Sequence, residues 1–96
     1  GVKVLNEGKQ IEVAVQKDGS YLVNGIALAN NSEAELINML QKEAGSNRKQ
    51  LFVIAADADA SHQSVVKVMD VAGKMGFLNL NISTVVPISA RKSENP

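Results

Sequence analysis

The stretch LFVIAADADASHQSVVKVMDVAGKMGFLNLNIST, Leu51 to Thr84, decides the fold. Leu51 to Ala55 is an unbroken apolar run, the pattern of a strand buried on both faces. Ala56 to Ala60 reads as a loop carrying two aspartates. Ser61 is placed to cap a helix from His62 to Met75, with Val65, Val68, Met69, Ala72 and Met75 on its apolar side and Gly76 as its stop. Leu78, Leu80 and Ile82 then alternate with Asn79, Asn81 and Ser83, which predicts a half-buried strand. Strand, helix and strand in this order form a βαβ unit. Its two strands are expected to be parallel neighbours joined by a right-handed crossover. Val85, Val86 and Ile88 prolong the last apolar run, and Pro87 confines it to a sheet edge.

Upstream, Ile11 to Lys17 alternates with period two, Asp18-Gly19 follows, and Ser20 to Val23 returns. A two-residue type I′ turn at Asp18-Gly19 predicts that Val15 faces Leu22. Leu22 then joins Ile11, Val13 and Val15 on the apolar face, and Tyr21 and Val23 fall on the other. Asn24-Gly25 is a second turn signal, before a short strand at Ile26 to Leu28. Ser32-Glu33-Ala34-Glu35 is a capping box opening a helix from Glu33 to Glu43, with Leu36, Ile37, Leu40 and Ala44 on one face and Gly45 beyond its end. The predicted fold is α+β: two layers, a mixed sheet with two helices on one face, in the order ββ(β)αβαβ. Two helices cover only one face of such a sheet. The second face of the Leu51–Ala55 strand therefore needs a cover, either a second protomer or the chain's own ends.

Composition narrows the function classes. The 96 residues are 45% apolar and 21% charged, and ten basic residues balance ten acidic ones. That suits one small soluble domain and disfavours a nucleic-acid partner. Without cysteine, disulfides, thiolate metal sites and cysteine nucleophiles are excluded. No apolar run is long enough to span a membrane, and no signal-peptide pattern occurs. The chain starts at Gly1 rather than Met, so the parent protein is expected to extend further. Residues 1–9 are expected to be a flexible segment, residues 10–84 the domain, and residues 85–96 a tail that supplies an edge or swapped strand before turning disordered.

Asp57 and Asp59 follow a parallel strand, where α/β proteins place ligand sites, and His62 lies three residues on. Spacing alone supports a metal there. The stronger reading makes Asp57 a structural loop residue that binds nearby amides, with Asp59 favourable before a helix N-terminus. No phosphate loop, triad or aromatic stacking platform occurs. Gly73 is expected to allow close packing of the second helix on the sheet. The pairs Arg48-Lys49 and Arg91-Lys92 read as solvated loop charges, and Met39, Met69 and Met75 as core filler. The expectation is no catalytic, cofactor or metal residue.

The segment from Leu51 to Thr84, with "VVKVMDVAG" inside it, resembles the C-terminal half of the ExbD/TolR family. The resemblance continues upstream through VAVQKDGSYLVNGIAL and SEAELINML and covers Gln10 to Thr84. The DGSYLVNG hairpin leans towards the TolR branch. The chain departs from the family at His62, where many members carry Tyr, and at Ala58, where Lys is common. The family's N-terminal membrane helix, with its proton-responsive Asp, has no counterpart in this sequence, so no energy-coupling residue is assigned. The resemblance implies the periplasmic domain of an inner-membrane protein that works with a TolQ- or ExbB-like channel and with TolA- or TonB-like proteins. TolR-type members are also associated with peptidoglycan.

Three functions follow for testing: a dimeric, non-catalytic relay domain, a peptidoglycan-binding module, and a small metal enzyme at Asp57, Asp59 and His62. Neutral charge and the two-sided strand favour the first. Tyr21, Asn79 and Asn81 are the only hints of a glycan surface. The expected interaction residues are Tyr21 and Val23 on the hairpin and Val85, Val86 and Ile88 at the end of the chain. The homodimer is expected to use the last strand and the Val85–Ile88 segment. If Val2 to Leu5 closes that edge instead, the chain is a monomer.

Overall fold

The N-terminal hairpin sets the face on which the core is built. The computed structural model describes residues 10–85. β1 (Gln10–Val15) buries Ile11, Val13 and Val15 and turns Gln10 and Glu12 to solvent. β2 (Tyr21–Val23) returns antiparallel, with Val15 opposite Tyr21 and Val13 opposite Val23. This register is one residue away from the expected pairing of Val15 with Leu22. The connection is Lys17-Asp18-Gly19: the Gln16 N–H donates to the Ser20 carbonyl at 2.9 Å, and Gly19 stands at φ 90°. A loop of that length closes with a left-handed residue, which glycine supplies. Asp18 steadies it by accepting from the Ser20 amide at 3.0 Å and from the Ser20 hydroxyl at 2.6 Å.

A one-residue slip exchanges the two faces of a strand. Tyr21 and Val23 are therefore core residues, 2% and 0% exposed, while Leu22 lies half-buried on the opposite face. The turn with both central residues at positive φ is Asn24-Gly25, which leads into β3 (Ile26–Ala27). Asn24 also extends the hairpin, because its side-chain oxygen accepts from the Glu12 amide at 2.9 Å.

α1 (Glu33–Ala44) starts where the sequence places it, with the Ser32 hydroxyl accepting from the Glu35 amide at 3.2 Å. The Ser32 amide goes to the Asn30 side chain at 2.9 Å, so the reciprocal half of the capping box is taken by Asn30 rather than Glu35. Leu36, Leu40 and Ala44 are buried, and Ile37 and Met39 pack at the margin.

β4 (Leu51–Asp57), α2 (His62–Met75) and β5 (Leu80–Val85) follow. The sheet order is β3-β2-β1-β4-β5, with β1 parallel to β4 and β4 parallel to β5. The ladder puts Phe52, Ile54 and Ala56 on the face of Ile11, Val13 and Val15. α1 packs over β1 and β2, and α2 over β1 and β4, both on that face, as predicted. Phe52 meets Phe77 with ring centroids 4.9 Å apart and planes tilted by 55°, a favourable aromatic geometry.

Arg48 is not a solvated loop charge. Its Nε donates to the Met75 carbonyl at 2.7 Å, a second guanidinium nitrogen donates to the Gly45 carbonyl, and the group lies 5.0 Å from the Phe77 ring centre. It thus serves the C-terminal ends of both helices, where carbonyls lack partners and the helix dipole favours a cation.

Other expectations are corrected by where the helices sit. β4 buries one face only: Phe52, Ile54 and Ala56 are covered, while Leu51 is 37% exposed and Val53 and Ala55 are half-buried. Met69 has the spacing of a core residue but is 37% exposed, and Val71 takes the buried place. β5 is exposed along its whole length rather than half-buried, and Leu78 lies outside it, because neither helix reaches that edge. Gly73 faces open space, and a Cβ there would meet nothing within 4 Å.

Two stability tests follow. Val23→Asp buries an unpaired charge and should unfold most of the population, whereas Leu22→Asp should cost about 1 kcal/mol by chemical denaturation. The opposite ranking would restore the two-residue loop register. Gly73→Ala should raise stability by roughly 0.5–1 kcal/mol, because alanine suits a helix interior and no neighbour resists it. A lower unfolding midpoint would show a packing role for Gly73.

Candidate interaction edge

β5 ends the sheet, and among the described residues no strand pairs with its outer side. The Phe52 amide donates to the Asn79 carbonyl at 2.8 Å, and the Ala58 amide donates to the Val85 carbonyl at 2.9 Å. Main-chain groups alternate along a strand, so Asn81 and Ser83 also point at β4. Leu80, Ile82 and Thr84 therefore direct their N–H and C=O groups outward, a ready template for another strand.

Natural edges are commonly blunted by charge, proline or brevity. β3, the other edge, is two residues long. β5 is six residues, LNISTV, with no charge and no proline. Its helix-side face carries Leu80 and Ile82, 38% and 47% exposed. Lys67 and Lys74 of α2 turn towards α1, reaching the Asn31 carbonyl at 2.9 Å and the Glu33 carboxylate at 3.1 Å. Met69, 37% exposed, lies on the flank of α2 away from Lys67 and Lys74, and Val66 is 42% exposed. The contact to Glu33, and next that to Asp70, raise the Lys74 pKa, but the group is solvent-exposed and the attraction is screened.

The expected site residues divide. Val85 is the last residue of β5, on the face away from the helices, and is 51% exposed. Val86 and Ile88 lie outside the described residues. Tyr21 and Val23 are removed from the surface by the hairpin register. The Tyr21 hydroxyl donates to the Ser64 carbonyl at 3.1 Å beneath α2, and burial pushes its pKa up. Sequence reasoning missed the α2 flank, since Met69 carries the right spacing for a core residue.

Asp57 closes β4 and accepts the Asp59 amide at 2.8 Å, while its carbonyl accepts from Ala60 at 2.9 Å. Asp57 thus binds an amide of its own turn. Among the described residues, no group of His, Asp and Glu is gathered as a metal would require. Asn79 donates its side-chain amide to the Lys49 carbonyl at 2.7 Å and braces a loop.

The family model described as "Biopolymer transport protein ExbD/TolR" matches residues 3–86. The chain belongs to the ExbD/TolR family. Members take part in biopolymer-transport complexes that transduce energy; they are transport-coupling proteins rather than enzymes. They are anchored in the inner membrane and carry a periplasmic domain. No helix among the described residues is long and apolar enough to cross a membrane. No curated protein matches the chain.

Asp57→Ala should cost about 1 kcal/mol in thermal or urea unfolding through the lost amide contact. Specific metal binding that disappears in both Asp57→Ala and His62→Ala would give these residues a different role. The hydrogen bonds from the Ser20 side chain and then its amide hold Asp18 below its ordinary value of 3.8. The loop therefore keeps its full contribution above that value and loses it as pH falls through the lower folded pKa. An NMR titration of Asp18 should show a midpoint below 3.8, moving up in Ser20→Ala. An unchanged midpoint in the variant would mean that the amide alone sets the shift.

Proposed function

We propose that this chain is the periplasmic interaction domain of a proton-motive-force-coupled inner-membrane complex of the Tol-Pal or TonB type. It works by association, with no turnover of its own. Its partners are a second copy of the chain, a TolQ- or ExbB-like channel and a TolA- or TonB-like protein. The DGSYLVNG hairpin favours the TolR branch. The observation that carries this reading is the long, uncharged edge of β5, unpaired on its outer side among the described residues.

The edge is self-complementary. With a two-fold axis at Ile82, an antiparallel partner places Leu80 opposite Thr84 and Asn81 opposite Ser83. Every outward N–H and C=O of Leu80, Ile82 and Thr84 then finds a partner. Such an axis stands perpendicular to the sheet, so both helix layers lie on one side. Near-zero net charge adds little repulsion between copies. The peptidoglycan alternative is supported less, because Tyr21 is buried and Asn79 is engaged within the domain, leaving Asn81 alone on the open face.

Light scattering on the full chain tests the association, with a dimer expected. Ile82→Pro removes an outward N–H while leaving the ladder to β4, so it should give a folded monomer with an unchanged circular dichroism spectrum. A dimer that survives this substitution rules out the β5 seam. A chain ending at Thr84 should remain dimeric; conversion to a monomer would instead assign the contact to the segment from Val85 to Ile88.

A further inference from the structure

The end of the domain at which β4 and β5 begin differs from its opposite end in both charge and polarity. β1 also begins there, since Gln10 pairs with Leu51. The Arg48 bonds to Gly45 and Met75 bring the C-terminal ends of α1 and α2 to the same place. Leu78 stands there 84% exposed, the barest large apolar side chain described, directly after the buried Phe77. Leu51 and Leu80, the first residues of β4 and β5, are 37% and 38% exposed. Asn79 ties this turn to Lys49, and both Lys49 and Lys42 in the last turn of α1 are exposed. The acids at this end include Glu43, which accepts a bond from the Asn24 side chain at 3.2 Å, and Glu12, whose amide donates to that same side chain at 2.9 Å. The opposite end, around the hairpin loop and the end of β4, carries Asp18, Asp57 and Asp59 against Lys17 and Lys67, the latter bonded to Asn31 beside Gly19.

Isolated exposed leucines are ordinary. A bare leucine at an end that also carries exposed lysines has a more specific fit, to a surface that offers anionic groups above hydrocarbon. We propose that this end of the domain rests on an anionic lipid surface, with Leu78 entering the headgroup layer and Lys42 and Lys49 facing lipid phosphates. The chain entering β1 arrives at the same end, so a restraint placed before Gln10 presents Leu78 to the bilayer and leaves the Ile82 seam free. The acidic end then points away, which an anionic surface also favours.

Each cation near such a surface is worth about five-fold in binding, so the contact is weak unless the chain is held nearby. The test therefore uses the full chain attached at its N-terminus to vesicles. The chain has no cysteine, so a single environment-sensitive fluorophore can be placed at Leu78→Cys or, at the far end, at Asp59→Cys. On phosphatidylglycerol-containing vesicles the label at position 78 should shift to the blue, and the shift should fall with added salt and with Lys42→Glu and Lys49→Glu together. On phosphatidylcholine vesicles, and at position 59 on either, little shift is expected. No shift at position 78, equal shifts at both positions, or a shift indifferent to lipid charge would each overturn the proposal. Light scattering of the unattached chain reports the Ile82 seam separately, so failure of one does not imply failure of the other.

Discussion

The parallel pairing of β1 with β4 is the constraint on which the rest of the structure depends. It joins segments some forty residues apart and aligns Ile11, Val13 and Val15 with Phe52, Ile54 and Ala56 in one apolar band. Such a band has to be covered, and α1 and α2 are the elements available. With two helices spent on β1, β2 and β4, no helix among the described residues remains for β5. The exposure of β5 is thus a consequence of how the core is closed, and Met69 is exposed for the same reason.

The second organising contact is Arg48. Two helices end near the point where β4 and β5 begin, and their last carbonyls converge there. One guanidinium serves both ends and lies on the Phe77 ring, so the core, the helix ends and the loop share a single residue. This rigid base carries Leu78 and Lys49 at its surface. The chemistry of that end is therefore held by packing, although the residues that display it lie in loops.

The two ends and the free edge of the domain divide its surface into different kinds of contact. The edge offers main-chain hydrogen bonds with apolar residues on one side, suited to another extended segment. The base offers exposed lysines and a bare leucine. The hairpin end offers carboxylates, and Asp57 is occupied there in closing its own turn. Such a distribution suits a family whose members couple one envelope component to another, because association at separate surfaces requires no catalytic group.

Read alone, the sequence determined the elements whose signals are local. Ser32 and Ser61 mark the two helix starts, Gly45 and Gly76 their ends, and the alternation at Ile11, Val13 and Val15 a strand with one buried face. The βαβ unit from Leu51 onward implied parallel neighbours, and the same stretch carried the family resemblance. What tertiary structure decided was which faces are covered. Asp18-Gly19 suits both a two-residue and a three-residue loop, and the difference of one residue moves Tyr21 and Val23 from surface to core. Met69 and Ile82 have the spacing of buried residues, yet burial depends on whether another element lies above them. Arg48 looked solvated because the carbonyls it binds come from helix ends that are distant in the chain or bent back upon it. Hydrophobic period is a property of a segment, whereas cover is a property of the assembled layers, and that is why the edge of β5 became visible only in three dimensions.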